Sequence, residues 1–324
     1  MSIEEPRIAL VGAGDLQSKA LLEVLKAGGY KAGQFMPLGT RLGAVELDLS
    51  EDETAEVFLP LDRAHLAEAR VVALFSTDAE ARAAVASWVQ QDGQLLVDMA
   101  ADSEPSGGWL NPLSAAERIA SNDAVALPEA SALYVSRLLA DLHGQVRGPL
   151  SAQLLLPASR FGEPGVLELF KQAMAVLAFK PAPTEVLNRQ LAFNCWPAAG
   201  AGGSSLFPAQ VRLLAGLPKL PVSCVALQAG SFHSTALSMT LGVSDAHQAS
   251  DSLTESVSCD ETFQAWTGGE WPSVMDAAGS DKPLVMARPL DPDTLWVWMV
   301  FDNAKSGKGA IAARWLLRQL DSSG

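Results

Sequence analysis

The sequence predicts an α/β protein with two domains, an N-terminal Rossmann-like, doubly wound parallel sheet and a central α+β domain. Short apolar strands alternate with helical segments from Arg7 to about Ala126, a pattern typical of a parallel sheet covered by helices on both faces. After about Ala130 the strands become longer and fewer helices separate them. At 324 residues the chain also exceeds what one hydrophobic core usually organises.

The first predicted domain begins with an apolar strand, Ile8 to Gly12, followed by an amphipathic helix. One face of that helix carries Leu16, Ala20, Leu21, Val24 and Leu25. Further strands are predicted near Gln34 to Leu38, at Val71 to Phe75 and at Leu95 to Asp98, with an alanine-rich helix carrying Val85, Trp88 and Val89 between the last two.

The second predicted domain contains strands at Val222 to Gln228, Ser231 to Val243 and Thr294 to Phe301, and a Gly- and Ser-rich loop over 198–205. A final amphipathic helix, from about Gly309 to Leu320, presents Ile311, Trp315 and Leu316 and is expected to pack back on the first domain. The predicted division is therefore 1–129 with 308–324, and 130–307.

Composition excludes several classes of function. The 23 basic and 37 acidic residues give a net charge of −14 and a pI near 4.7, which would repel a phosphate backbone, so nucleic acid is not an expected partner. The apolar runs are strand-sized, and no basic, apolar leader precedes the first strand, so no membrane association is expected. Three cysteines (Cys195, Cys224, Cys259) match neither a disulfide framework nor a zinc site, which favours a reducing cytoplasm and no metal.

The segment from Gly12 to Ser18 lies where a strand passes into a helix, the usual place for a bound pyrophosphate. A Gly-x-Gly-x-x-Gly pattern fails at Gln17. Asp15 would oppose a pyrophosphate by about 4 kcal/mol for two unit charges about 4 Å apart. We expect Asp15 to cap the helix instead. Arg41, after the second strand, would suit a 2′-phosphate and is equally compatible with an ordinary surface position.

Of the four histidines, His65, His143 and His247 are expected in solvent, the last in a loop. His233 is placed early in the long strand after Gly230, where a structural histidine and a general base are both compatible with the pattern. Large apolar neighbours around Cys195 predict a buried, unreactive thiol.

Several segments together resemble the aspartate-semialdehyde dehydrogenase family over almost the whole chain. They are Ile8 to Gly12, Ala73-Leu74-Phe75-Ser76, Gly165 to Leu169, Ala192-Phe193-Asn194, Ser223-Cys224-Val225, Phe232-His233-Ser234, and Leu295-Trp296-Val297 leading into Asp302-Asn303. The resemblance implies a dinucleotide-binding first domain, a catalytic and dimerisation domain of the semialdehyde-dehydrogenase type, and a homodimer. It also implies a cofactor site, for NADP or NAD, at Gly12, Gly14, Arg41, Ser76 and Asn303.

The family's catalytic residues are mostly replaced in this chain. Its nucleophilic cysteine, which forms a thiohemiacetal that passes hydride to NADP, corresponds to Ala130. Its glutamine and its substrate-binding arginine correspond to Leu156 and Ala226, and no acid stands near Pro208-Ala209, where its substrate-binding glutamate falls. Only the general-base histidine remains, as His233.

The family's phosphate site lies opposite Ala100-Ala101-Asp102-Ser103-Glu104, which is acidic here. This pattern of losses is similar to the Usg-type paralogues, which lack the catalytic cysteine. It predicts a non-catalytic dimer linked to amino-acid biosynthesis that binds NADP or NAD weakly, with an unidentified small-molecule ligand. Two alternatives stay open: an oxidoreductase that uses His233 and Cys195 on an altered aldehyde or oxo substrate, and a metabolite-binding protein with an apolar pocket.

Overall fold

The computed structural model describes residues 7–42, 46–49, 55–101, 108–114, 124–198, 206–268 and 270–321. The chain forms two compact units: a first unit of Met1–Pro128 with Lys308–Gly324, and a second unit of Glu129–Gly307. The division falls one residue before the predicted position.

Strands and helices within the described residues are numbered in chain order. The strands are β1 (Ile8–Val11), β2 (Phe35–Leu42), β3 (Glu46–Leu49), β4 (Ala55–Leu61), β5 (Val71–Leu74), β6 (Leu95–Asp98), β7 (Ala124–Ala126), β8 (Val146–Leu156), β9 (Cys195–Pro197), β10 (Val222–Ala229), β11 (Ser234–Val243), β12 (Gln264–Ala265), β13 (Leu284–Asp291) and β14 (Thr294–Asp302). The helices are α1 (Leu16–Ala27), α2 (Arg63–Leu66), α3 (Ala79–Asp92), α4 (Ala130–Asp141), α5 (Gly162–Leu177), α6 (Phe207–Leu214), α7 (Ala246–Cys259) and α8 (Lys308–Asp321).

The sheet of the first unit has the order β3-β4-β2-β1-β5-β6-β7. All neighbours pair in parallel except β3, which runs antiparallel to β4 at one edge. Strands β1 and β5 are buried along their whole length, as expected for strands covered on both faces. The predicted doubly wound sheet is confirmed.

Helices α1 and α8 pack on one face of this sheet, and α2 and α3 pack on the other. The predicted return of the last helix is confirmed, because Trp315 and Leu316 are fully buried beside Leu21 and Leu25 of α1. The apolar positions of α8 therefore complete a core that α1 begins.

The sheet of the second unit is mixed, with the order β12-β13-β14-β11-β8-β10-β9. Strands β8 and β10 are parallel, and β11 is antiparallel to both β8 and β14. Side chains such as Leu154, Ala226 and Leu237 are buried on a face that contacts α4, α6 and α7. The opposite face, called the open face below, includes Val225, which is 54% exposed.

Among the described residues, no helix combines the length and the apolar composition that crossing a membrane requires.

Candidate functional site

The turn after β1 brings two of the predicted cofactor-site residues together. Gly12 has a φ of +73°, and a Cβ at that position would lie 2.9 Å from the Cα of Ser76. Ser76 is buried, and its amide donates to the carbonyl of Val11. The left-handed backbone and the close approach both require glycine at position 12. Gly14, with a φ of +130°, follows in the same turn.

Asp15 caps α1, as predicted. Its Oδ1 accepts from the amide of Ser18 at 2.7 Å, and the Oγ of Ser18 accepts from the amide of Gly14 at 2.9 Å. Amides at a helix N-terminus are the groups that hold a phosphate in dinucleotide-binding proteins. Two of them here already have an acceptor within the chain.

Gln17, where the fingerprint fails, contacts the first turn of α8. Its Oε1 accepts from the amide of Gly309 at 2.7 Å, and a Cβ on Gly309 would lie 2.0 Å from the carbonyl oxygen of Gln17. The two residues are almost 300 positions apart, so the only local signal of this pairing is the glycine near the start of the last helix.

An ion pair that the sequence did not reveal lies beside Ser76. Arg82 of α3 forms two hydrogen bonds to the carboxylate of Asp98 at the end of β6, of 2.6 and 3.1 Å, and donates to the carbonyl of Ser76 at 3.2 Å. The side chain of Arg41 and residues 102–104 of the predicted acidic site lie outside the described part of the chain; the backbone of Arg41 belongs to β2.

In the second unit, Ala130 is the first residue of α4 and is buried. The preceding Glu129 donates its amide to Oε1 of Gln210 at 3.3 Å. Gln210 lies in α6, is buried, and directly follows Pro208-Ala209. The polar side chain that reaches the start of α4 from this stretch is therefore Gln210, an amide and not an acid. The sequence analysis did not select it.

Leu156 ends β8 and is paired with Gln228 of β10. The Nε2 of Gln228 donates to the carbonyl of Leu156 at 2.9 Å. Ala226 precedes Gln228 by two residues, so both point to the helix-covered face of the sheet. Gln228 is a second buried polar residue that sequence reasoning did not select.

His233 lies just before β11, not within it as predicted. The chain leaves the ladder here because the carbonyls of Ser231 and Phe232 accept from the amides of Ala158 and Ser159, at 2.8 and 2.9 Å. The carbonyl of His233 accepts from the amide of Asn303 at 3.1 Å, which brings these two predicted site residues together. The Nδ1 of His233 is buried, without a hydrogen-bond partner among the described residues.

Two other histidine predictions were wrong in part. His65 is half-buried, with its Nδ1 3.0 Å from Oδ2 of Asp62. The amide of His65 donates to Asp62 and lowers the pKa of that carboxyl. His247 is exposed, as predicted, but belongs to the first turn of α7 and not to a loop, because Asp245 caps that helix. His143 is exposed, as predicted.

The prediction for Cys195 was also wrong. Its thiol is exposed, because β9 is the edge strand of the sheet and Phe193 points into solvent instead of covering the sulfur. The half-buried thiol is Cys224 on β10, where burial raises its pKa to about 11. Within the described residues, no group of three or more His, Cys, Asp or Glu side chains is arranged to hold a metal.

Comparison with solved structures defines the class of fold. A probable aspartate-semialdehyde dehydrogenase from Pseudomonas aeruginosa superposes with a TM-score of 0.81 at 24% identity over 98% of both chains. Aspartate semialdehyde dehydrogenase II from Vibrio cholerae, complexed with ASA, gives 0.77 at 20% identity over 99% of both. The enzyme from Candida albicans, with NADP, gives 0.66 at 12% over 98% of this chain and 99% of that one. The fold is that of the aspartate-semialdehyde dehydrogenases.

Sequence comparison then defines the family. The USG-1 protein homolog of Pseudomonas aeruginosa is 30% identical over 253 residues, covering 73% of this chain and 75% of that protein. The homolog of Azotobacter vinelandii is 25% identical over 324 residues, covering 95% of each. No family model matches the chain. The chain belongs to the family of the USG-1 protein homologs.

Proposed function

We propose that this chain is a non-catalytic relative of the aspartate-semialdehyde dehydrogenases, a dimer linked to amino-acid biosynthesis that binds a small molecule without converting it. The observation that carries the proposal is Ala130, which stands at the first residue of α4, where the family resemblance puts the nucleophilic cysteine. A methyl group cannot attack an aldehyde, so no covalent intermediate can form there for hydride transfer.

No other described thiol is a suitable substitute. Cys195 lies on the edge strand β9 with its thiol exposed, and Nδ1 of His233 is buried without a hydrogen bond to it. Cys224 has a raised pKa and remains a thiol at neutral pH. Cys259 is the last residue of α7, where its thiol is exposed. These positions weigh against an oxidoreductase that uses Cys195 with His233.

Weak NADP or NAD binding is part of the proposal. A solved structure of the same fold holds NADP; here Gly12 and Gly14 lie in the turn after β1, and Ser76 packs against Gly12. The amides of Gly14 and Ser18 are already engaged, however, and the carboxylate of Asp15 stands beside them. A pyrophosphate would have to displace these bonds and approach a like charge.

A homodimer through the second unit is also part of the proposal. The open face of its sheet carries Val225, and α5 exposes Phe170, Met174 and Leu177 along one side, each more than half exposed. Contiguous exposed apolar side chains are typical of surfaces that pack against another protein. Light scattering across micromolar concentrations should give about twice 34.1 kDa; the monomer mass would count against the dimer.

The test of catalysis is NADP reduction with aspartate semialdehyde and phosphate. We expect no turnover by the wild type or by Ala130→Cys, because Ala226 offers no cation to a substrate carboxylate and Leu156 offers no polar contact. Ala132→Cys, at a buried position in the same helix, is the matched control for adding a thiol.

Wild-type turnover at an ordinary enzymatic rate would overturn the proposal. Turnover by Ala130→Cys alone, with none by Ala132→Cys, would show that a binding site for the substrate survives. Wild-type reduction of NADP with a different aldehyde would favour the oxidoreductase alternative.

A further inference from the structure

The open face of the second sheet carries a row of side chains that contains no acid. Strand pairing aligns Arg288 of β13, Trp296 of β14, Thr240 of β11, Ser151 of β8 and Ser223 of β10 across five neighbouring strands. Paired residues of a sheet project from the same face. Ser151 and Ser223 are exposed, with their Oγ atoms 3.1 Å apart. Arg288 is the one charged side chain of this first row.

The next row on the same five strands has no charge at all. It consists of Met286, Trp298, Ser238, Gln153 and Val225. Gln153 and Val225 are exposed. The chain has 37 acidic residues and a net charge of −14, so a sheet face that met only water would be expected to share in these acids. The two rows are therefore a distinct, nearly uncharged surface.

Helix α7 shows what an ordinary water-facing surface of this unit looks like, because its exposed side carries Asp251 and Glu255. Two copies of an acidic chain repel each other, so the surface on which one copy can approach another is one that lacks acids. Hydroxyl groups such as those of Ser151 and Thr240 both donate and accept hydrogen bonds. A row of them can therefore pair with its own copy in a symmetric contact.

Two tryptophans hold Arg288 in place. Its guanidinium carbon lies 5.1 Å from the ring centroid of Trp271 and 4.8 Å from that of Trp296, and the two ring centroids are 4.3 Å apart. Nε1 of Trp296 donates to Oγ of Ser238 at 2.9 Å. Arg288 is exposed, and no carboxylate of the described residues pairs with it. An ordered arginine stacked on tryptophan loses little conformational entropy on binding, and these two residue types often dominate the affinity of interfaces.

We infer that a second copy of this chain packs on these two rows, open face against open face, and that Arg288 and Trp296 anchor the contact. The N–H groups of Arg288 meet hydroxyl or amide oxygens of the facing copy, because the rows offer no carboxylate. This inference rests on the proposed function, since it assigns the proposed homodimer to one surface and its affinity to named residues. A contact without ion pairs between two acidic copies gains affinity as salt screens their repulsion.

The experiment measures the dissociation constant of the dimer of the full chain by sedimentation velocity. Val225→Glu places an acid on both facing surfaces and should raise this constant at least about 100-fold. Arg288→Ala should raise it at least about 30-fold. Arg189→Ala is the matched control, because exposed Arg189 also stacks on a tryptophan, 5.4 Å from the ring centroid of Trp196, but lies outside the two rows; it should change the constant less than about 3-fold. Raising NaCl from about 0.02 to about 0.5 M should lower the wild-type constant about 3–10-fold.

Circular dichroism first checks that each variant folds, and Arg288→Ala decides the matter if Val225→Glu does not. A dissociation constant that neither variant raises would overturn the inference, as would one that rises with salt. An effect of Arg288→Ala no larger than that of Arg189→Ala would overturn the anchor.

A further variant separates this inference from the homodimer itself. Met174→Glu changes the exposed side of α5 and should weaken the dimer less than Val225→Glu does. A dimer that Met174→Glu dissociates and Val225→Glu leaves intact would overturn the inference and keep the homodimer of the proposed function. A monomeric wild type would overturn both, while the NADP assay judges the loss of catalysis separately.

Discussion

The start of α1 and the end of the second sheet, where β8 and β10 finish, differ in how their polar groups are paired. At α1, the side chains of Asp15 and Ser18 accept the protons of two amides, and Gln17 accepts that of Gly309 in α8. At the end of the second sheet, Gln228 and His233 each bury an atom that has no partner among the described residues. The first region pairs these amides within the chain, whereas the second leaves two side-chain atoms unpaired.

This difference separates two changes that the proposed function requires. Near α1, internal acceptors occupy amides that a cofactor phosphate would use, so the proposed weak binding would result from competition. Near α4, Ala130 lacks a reactive atom while polar groups persist at the neighbouring strand ends. A protein of this fold can therefore lose affinity for a cofactor and lose a nucleophile through unrelated substitutions, and each can be tested alone.

The largest expected effect breaks the turn before α1. Gly12→Ala should lower the free energy of unfolding by about 3–5 kcal/mol, because it combines a left-handed φ with a clash against the backbone of Ser76. Gly29→Ala is the matched control, since Gly29 has a φ of +103° and nothing within 4 Å of the added Cβ; it should cost about 1–2 kcal/mol. Urea unfolding measures both. Equal losses would mean that the turn adjusts to the added methyl group.

A second prediction concerns the thiols of the second unit. At pH 8, Cys224 should react with a thiol reagent about 100-fold more slowly than an ordinary exposed cysteine, because its pKa of about 11 leaves almost no thiolate. The gap should close as the pH rises toward 11. Folding raises the pKa of Cys224, so the folded state holds the thiol proton more tightly than the unfolded state. The contribution of the buried thiol to the free energy of unfolding is therefore full below about pH 8.5 and is lost as the pH approaches 11. Cys195→Ser and Cys259→Ser together isolate the slow thiol; rapid labelling of this double variant would contradict the burial of Cys224.

Gln17→Ala should lower the free energy of unfolding by about 1–2 kcal/mol, because the buried amide of Gly309 loses its acceptor. The control is Gln91→Ala on α3, which should cost less than about 0.5 kcal/mol, because the side chain of Gln91 is exposed and donates to Oγ of Ser87 in the same helix. Thermal unfolding compares the two variants. A loss at Gln17 no larger than at Gln91 would show that water replaces the glutamine.

The smallest effect separates the cap from the charge of Asp15. Asp15→Asn keeps an oxygen for the amide of Ser18 and should change stability by less than about 0.5 kcal/mol, whereas Asp15→Ala should lose about 1 kcal/mol. Because the carboxylate is exposed and screened, removing its charge should tighten NADP binding by only about 3–10-fold, as calorimetry would show. Unchanged affinity in Asp15→Asn would mean that the charge does not oppose the cofactor.

Sequence periodicity was sufficient for much of the fold. The apolar run of β1 and the spacing of Leu21 and Leu25 predicted a buried strand and an amphipathic helix correctly. Burial of Trp315 followed from the same kind of pattern. Strands β3 and β4 were not predicted, because β3 has only four residues, two of them acidic, and β4 contains a proline, which argues against a strand in a sequence pattern.

The site was harder to predict, because its features depend on which groups meet in space. Cys195 has apolar neighbours in sequence, but an edge strand leaves its thiol in solvent. His233 stands near the start of a strand-like run, but the preceding Ser231 and Phe232 pair with the residues after β8. Nothing local to Gln210 or Gln228 indicates that the first meets the amide of Glu129 and the second meets the carbonyl of Leu156.

The return of α8 to the first unit has a consequence for synthesis of the protein. Between β7 and α8 lies the whole second unit, about 180 residues, which a ribosome takes on the order of 10–40 s to make. Throughout that time the face of the first sheet that receives Trp315 is uncovered beside Leu21 and Leu25. The nascent first unit therefore exposes an apolar surface that chaperones could bind. The second unit is one continuous segment, so all of its residues are present before α8 is made.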